Sequence, residues 1–87
     1  MKLSTWGNRS RTQFGLSLAT EGKYYRSLRV CRDLADKNQA DCGTCLCMAR
    51  MCYDRLHLYE EGMEWARRAL KKDDATQDHQ LRYFTLF

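Results

Sequence analysis

The densest chemistry-bearing stretch of the chain is Cys42-Gly-Thr-Cys45-Leu-Cys47, with Cys52 further along. A Cys-x-x-Cys pair at a helix start can cycle between dithiol and disulfide, or supply half of a zinc site. Zinc would need two more ligands, for which Cys47, Cys52, His57 and His79 are the candidates. At helical pitch Cys47 lies about 200° round from Cys45, so Cys45, Cys47 and Cys52 do not share a face. No second Cys-x-x-Cys is present. Cys45 and Cys52 are therefore expected to be small core residues. A Cys-dependent metal-binding or redox module is the alternative that this stretch carries. Neither histidine has a Ser, Cys or Asp at a catalytic spacing, and phosphate loops and metal-binding helix motifs are missing. The chain is not expected to be an enzyme or to need a cofactor. Asp73-Asp74 reads as a helix end rather than a carboxylate pair.

The elements that must hold these residues are helices. Pro is absent, Gly occurs five times and Val30 is the lone Val or Ile, whereas Leu, Ala, Met, Arg, Lys and Glu fill the periodic segments. Unbranched side chains lose little rotamer freedom in a helix, so the expected class is all-α. The five Cys fall inside these segments without a secretory signal, which predicts free thiols and a cytoplasmic or nuclear protein. No window approaches a membrane span. The net charge of +4 is spread along the chain, which disfavours nucleic acid and leaves an acidic protein segment as a fitting partner.

In chain order, Met1–Ser10 is polar and carries Trp6 as its one large apolar residue. Arg11–Thr20 reads as the first helix, with Phe14 and Leu18 one turn apart. Gly15 between them is explained by close approach of a second helix, and Gly22 supplies a left-handed cap. Lys23–Lys37 places Tyr24, Leu28, Cys31, Leu34 and Ala35 on one face. Asp41 is a good N-cap for Cys42–Leu58, whose inward face carries Cys45, Ala49, Cys52, Tyr53 and Leu56, with Leu46 beside them. His57-Leu58 makes a turn. Tyr59–Lys72 follows, with Tyr59, Gly62, Met63, Ala66, Ala69 and Leu70 expected inward. Glu60 and Glu61 open it and Arg67, Arg68, Lys71 and Lys72 close it, as the helix dipole favours. Residues 75–87 read as a fifth helix.

Two of these segments repeat. Tyr24 and Tyr59 stand 35 residues apart, and each is followed three residues later by a small residue, Ser27 or Gly62. With Phe14-Gly15, Leu18, Gly22, Tyr24, Ser27 and Cys31 in one copy and Leu46, Ala49, Tyr53, Tyr59, Gly62 and Ala69 in the other, the chain resembles the tetratricopeptide repeat. Arg50 stands where the second copy should have its Gly, unless the pairing slips by one so that Ala49 takes that place. Arg11 replaces the opening apolar residue, Leu34 replaces the second Ala of the first copy, and no Pro ends either copy.

The resemblance implies an α-solenoid of antiparallel hairpins in a single domain over residues 1–87. Repeat one would span about 9–41, repeat two about 42–74 and a terminal helix about 75–87. It implies close helix contacts at Gly15, Ser27, Ala49, Gly62 and Ala69, with Phe14, Leu28, Tyr53, Tyr59 and Leu70 filling the layer between hairpins. It also implies a non-enzymatic scaffold or adaptor whose groove takes a peptide or partner helix. By carry-over the groove-facing residues are Arg9, Thr12, Leu16 and Thr20 in repeat one and Thr44, Cys47, Met51 and Arg55 in repeat two. Two repeats fall short of the three or so that such arrays need. Self-association through Leu81, Phe84 and Phe87, or membership of a longer array, is expected. Helical-repeat RNA binding is a further alternative, raised by Trp6, Tyr24, Tyr25 and Trp65 in a basic chain.

Overall fold

The computed structural model describes the backbone at residues 3–72 and 74–86 and the side chains at 11–72 and 74–81. The described residues are all-helical, without a strand: α1 (Leu3–Thr20), α2 (Tyr24–Asp36), α3 (Cys42–Met51), α4 (Tyr59–Leu70) and α5 (Gln77–Leu86). A π-helical turn, Cys52–Leu56, continues α3. The chain divides between Ala40 and Asp41 into two compact units.

In the first unit α1 begins at Leu3, two turns earlier than the apolar periodicity from Arg11 indicates. It ends on a left-handed turn at Gly22, φ 82°. The Lys23 N–H donates to Leu18 O at 2.8 Å and the Gly22 N–H to Ala19 O at 3.0 Å, which satisfies the last carbonyls of the helix. Asn38, φ 56°, closes α2 in the same way, with Gln39 N–H on Leu34 O at 2.7 Å. Asparagine is among the few non-glycine residues that adopt this conformation readily. α1 and α2 run antiparallel, since Arg11 pairs with Asp33 while Gly15 lies against Val30 and Cys31. Ser27, Leu28, Cys31 and Leu34 form the buried stripe of α2, and Leu18 is buried on α1.

In the second unit α3 is central. Cys42, Thr44, Cys45, Leu46, Met48, Ala49 and Met51 are all buried, so burial covers most of its circumference. The cause is that α3 packs against both α4 and α5. The Asp41 carboxylate accepts from Thr44 N–H at 2.8 Å, as an N-cap should. Asp74, from the turn after α4, accepts from Cys42 N–H with both oxygens at 3.2 Å. Two carboxylates thus sit at the positive end of one helix.

Three expectations about packing are corrected. Phe14 is 58% exposed rather than filling a layer between hairpins. Tyr59 and Met63 are also exposed, and Trp65 is buried in their place. The buried face of α4 is Gly62, Trp65, Ala66 and Ala69: Gly62, Ala66 and Ala69 lie inward as expected, and Trp65 joins them. Burying the indole removes the largest apolar area that α4 has to offer, and its Nε1–H is satisfied at 3.1 Å by Glu61 one turn earlier. Arg68 covers the ring, its guanidinium carbon 5.1 Å from the centroid.

Candidate functional site

The turns that join α1 to α2 and α3 to α4 share their backbone geometry. Gly22 and His57 are both left-handed, at φ 82° and 55°. The residues after them, Lys23 and Leu58, are N-caps with φ, ψ of −89°, 65° and −91°, 74°. Tyr24 and Tyr59 then open the second helix of each pair. Three residues on, Ser27 Oγ donates to Gly15 O at 2.6 Å, and the Cα of Gly62 faces the carbonyl of Ala49 so closely that a Cβ would stand 3.2 Å from it.

The π-helical turn adds one residue to the second copy. Lys23 N–H reaches back five residues to Leu18 O, whereas Leu58 N–H reaches back six, to Cys52 O at 2.9 Å. Everything upstream of the turn is therefore offset by 34 residues rather than 35. Gly15 corresponds to Ala49, and Leu16 to Arg50. A single inserted residue is what a π turn accommodates within a helix.

Packing of α3 on α4 and α5 sorts the carried-over residues. Thr44 and Met51, expected on the groove face, are instead buried. Cys47 and Arg55 are exposed, and so are Arg50 and Asp54. Arg50 Nε donates to Asp54 Oδ2 at 2.6 Å. In the first unit Thr12 and Leu16 are half-buried on α1, and Thr20 is exposed with its hydroxyl on Leu16 O at 3.1 Å. Arg9 lies on α1, and its side chain falls outside the described residues, as do those of Trp6, Phe84 and Phe87. Leu81 is exposed.

The corner at the π turn is aromatic. Tyr53 and Tyr59 meet edge to face with centroids 5.0 Å apart, and His57 Nδ1 lies 3.0 Å from Tyr59 Oη. A left-handed histidine beside a π turn is a departure from regular geometry of the kind that clusters at functional positions.

The cysteines behave as a core. Cys31, Cys42, Cys45 and Cys52 are buried thiols and Cys47 is an exposed one. Burial, reinforced by the Asp74 and Asp41 carboxylates, pushes the Cys42 thiol up from its usual range. Burial likewise pushes Cys45 up to about 11 against the opposing charges of Lys72 and Arg68. A Cys-x-x-Cys nucleophile needs the opposite shift. Among the described residues, no group of three or more His, Cys, Asp or Glu side chains is placed to hold a metal ion. None of these residues forms a helix long and apolar enough to cross a membrane.

No known protein family, curated protein or solved structure matches the chain.

Proposed function

We propose that the chain is a non-enzymatic protein-interaction module of two tetratricopeptide-like helical hairpins and a terminal helix. In this reading the hairpins stack as a short solenoid whose groove takes a peptide or partner helix. One observation carries it: the sequence left-handed residue, N-cap, tyrosine and small crossing residue occurs at 22, 23, 24 and 27 and again at 57, 58, 59 and 62. Two stretches of different composition reach the same turn and the same close crossing, as copies of one supersecondary unit do.

The groove-facing candidates are then Arg9, Thr12, Leu16 and Thr20 from the first copy and, from the second, Cys47 and Arg55, the two carried-over residues that are exposed. Leu16 offers an apolar contact, and Arg55 a charge for a carboxylate. With only two copies, the module either associates with itself or belongs to a longer array, and the exposed Leu81 is the described residue of the expected seam.

Affinity capture with the whole chain tests this, with Leu16→Asp and Arg55→Glu as paired baits. The expected outcome is a set of proteins held by the wild type and lost by both variants. An identical set on all three baits would remove these residues from the binding face. Sedimentation velocity over about a hundredfold range of concentration reads the association, which by mass action must grow with concentration.

A further inference from the structure

A second surface, made of none of those residues, is built on α2. From Gly22 to Arg32 the chain carries Lys23, Arg26, Arg29 and Arg32 without one acidic residue. Arg26, Arg29 and Arg32 recur every three residues and all are exposed, opposite the buried Ser27, Leu28, Cys31 and Leu34. At 100° per residue the three arginines and Tyr25 fall within about a third of the helix circumference. Tyr25 is 67% exposed, the most of any large hydrophobic side chain among the described residues. Also among those residues, no ion pair neutralises Arg26 or Arg29, whereas Asp33 is held by Arg11 at 3.5 Å and Lys37 at 3.1 Å.

The guanidinium groups of Arg26 and Arg29 beside an exposed aromatic ring call for an anionic partner with some apolar surface. The extent of the patch selects among such partners. Glu21 precedes it, and Asp33 and Asp36 end it after about two and a half turns. A long polyphosphate chain laid along α2 would run onto carboxylates at both ends. A short acidic helix or peptide would not, and an apolar residue next to its carboxylates can pack on Tyr25. We infer that the α2 face of Tyr25, Arg26 and Arg29 is a docking site for a short acidic protein segment. Bidentate guanidinium–carboxylate pairs supply orientation, and the tyrosine ring supplies apolar contact. The inference does not depend on the repeat-module reading.

The test uses the whole chain and three labelled probes. These are a 15-residue helical peptide with Glu at i, i+3 and i+7 around two Leu, its Glu→Gln twin, and a 15-nucleotide uridine strand. Fluorescence anisotropy should show binding of the acidic peptide and not of its twin. Arg26→Glu with Arg29→Glu should weaken that binding about tenfold or more, and Tyr25→Ala several-fold, because a reversed charge repels where its predecessor attracted. Circular dichroism should show unchanged helicity, since all three side chains are exposed. Leu16→Asp should bind the peptide as the wild type does. No binding of the acidic peptide, full binding by the reversed variant, or tighter binding of the uridine strand would each overturn the inference. Loss in Leu16→Asp with retention in the reversed variant would assign acidic segments to the groove instead, leaving the repeat-module reading intact.

Discussion

His57 holds the backbone position that Gly22 holds 35 residues earlier, left-handed in both cases, but without glycine's freedom from a side chain. A Cβ in this region costs on the order of 1–2 kcal/mol. His57→Gly removes that cost and also removes the contact from Nδ1 to Tyr59 Oη. It should leave stability unchanged or raise it by up to about 1 kcal/mol. His57→Val, β-branched, should destabilise by about 2 kcal/mol or more. Urea unfolding followed by circular dichroism checks both. Equal midpoints for Gly and Val would mean that the turn is not held left-handed.

The extra residue of the second copy lies in the π turn, where Asp54 and Arg55 are exposed. Deleting Arg55 should convert the π turn to an α turn with the span seen between Lys23 and Leu18. Helical content should be kept, with stability within about 1 kcal/mol of the parent, because no buried side chain is lost. Unfolding of the deletion variant would mean that the π turn is required for packing.

At the helix crossings, Ser27 is fully buried and its hydroxyl satisfies itself on Gly15 O. Ser27→Ala should cost about 1 kcal/mol, a typical net hydrogen bond. Gly62→Leu should cost more, about 1–3 kcal/mol, because its first side-chain carbon already meets the Ala49 carbonyl, a backbone atom that cannot swing aside. Both are read from denaturation midpoints. A Gly62→Leu variant as stable as the parent would exclude the close crossing.

The α3 N-terminus is capped twice, by Asp41 on Thr44 N–H and by Asp74 on Cys42 N–H. Each Asp→Ala change should cost about 0.5–2 kcal/mol. Since both serve one helix end, the double variant is expected to depart from the sum of the singles. Additive losses in a double-mutant cycle would mean that the two caps act independently.

The thiols give a pH signature. Cys45 ionises near 11 in the folded chain against 9.0 ordinarily, and Cys42 is shifted in the same direction. Above about pH 9 the unfolded chain loses these protons while the folded one keeps them, so stability falls as pH rises toward 11 and is intact below 9. The denaturation midpoint should decline over that window, and less so in Cys45→Ala. In the native chain a thiol reagent should modify Cys47 first and the four buried thiols only on unfolding. Rapid modification of Cys42 or Cys45 at neutral pH would instead mean an activated pair.

The α-class, the helix segments, the Asp41 cap and the left-handed Gly22 were all legible in the sequence. Each follows from local propensity or from a residue type with one strong backbone preference. The 35-residue spacing of Tyr24 and Tyr59 was legible for the same reason. The left-handed His57 was not, because histidine signals no such conformation. Nor was the π turn, since the run Cys52-Tyr-Asp-Arg-Leu56 reads equally well as α-helix.

Tertiary structure decided which way each helix faces. Tyr59, Met63 and Trp65 lie within about two turns of one amphipathic helix, and composition alone does not choose among them. Packing chose Trp65, because burying the indole with its N–H satisfied by Glu61 removes the most apolar area from water. Packing of α3 against both α4 and α5 likewise took Thr44 and Met51 into the core and left Arg50 at the surface. Local sequence set where helices start and stop. The contact of α3 with both α4 and α5 set how much of it remained exposed.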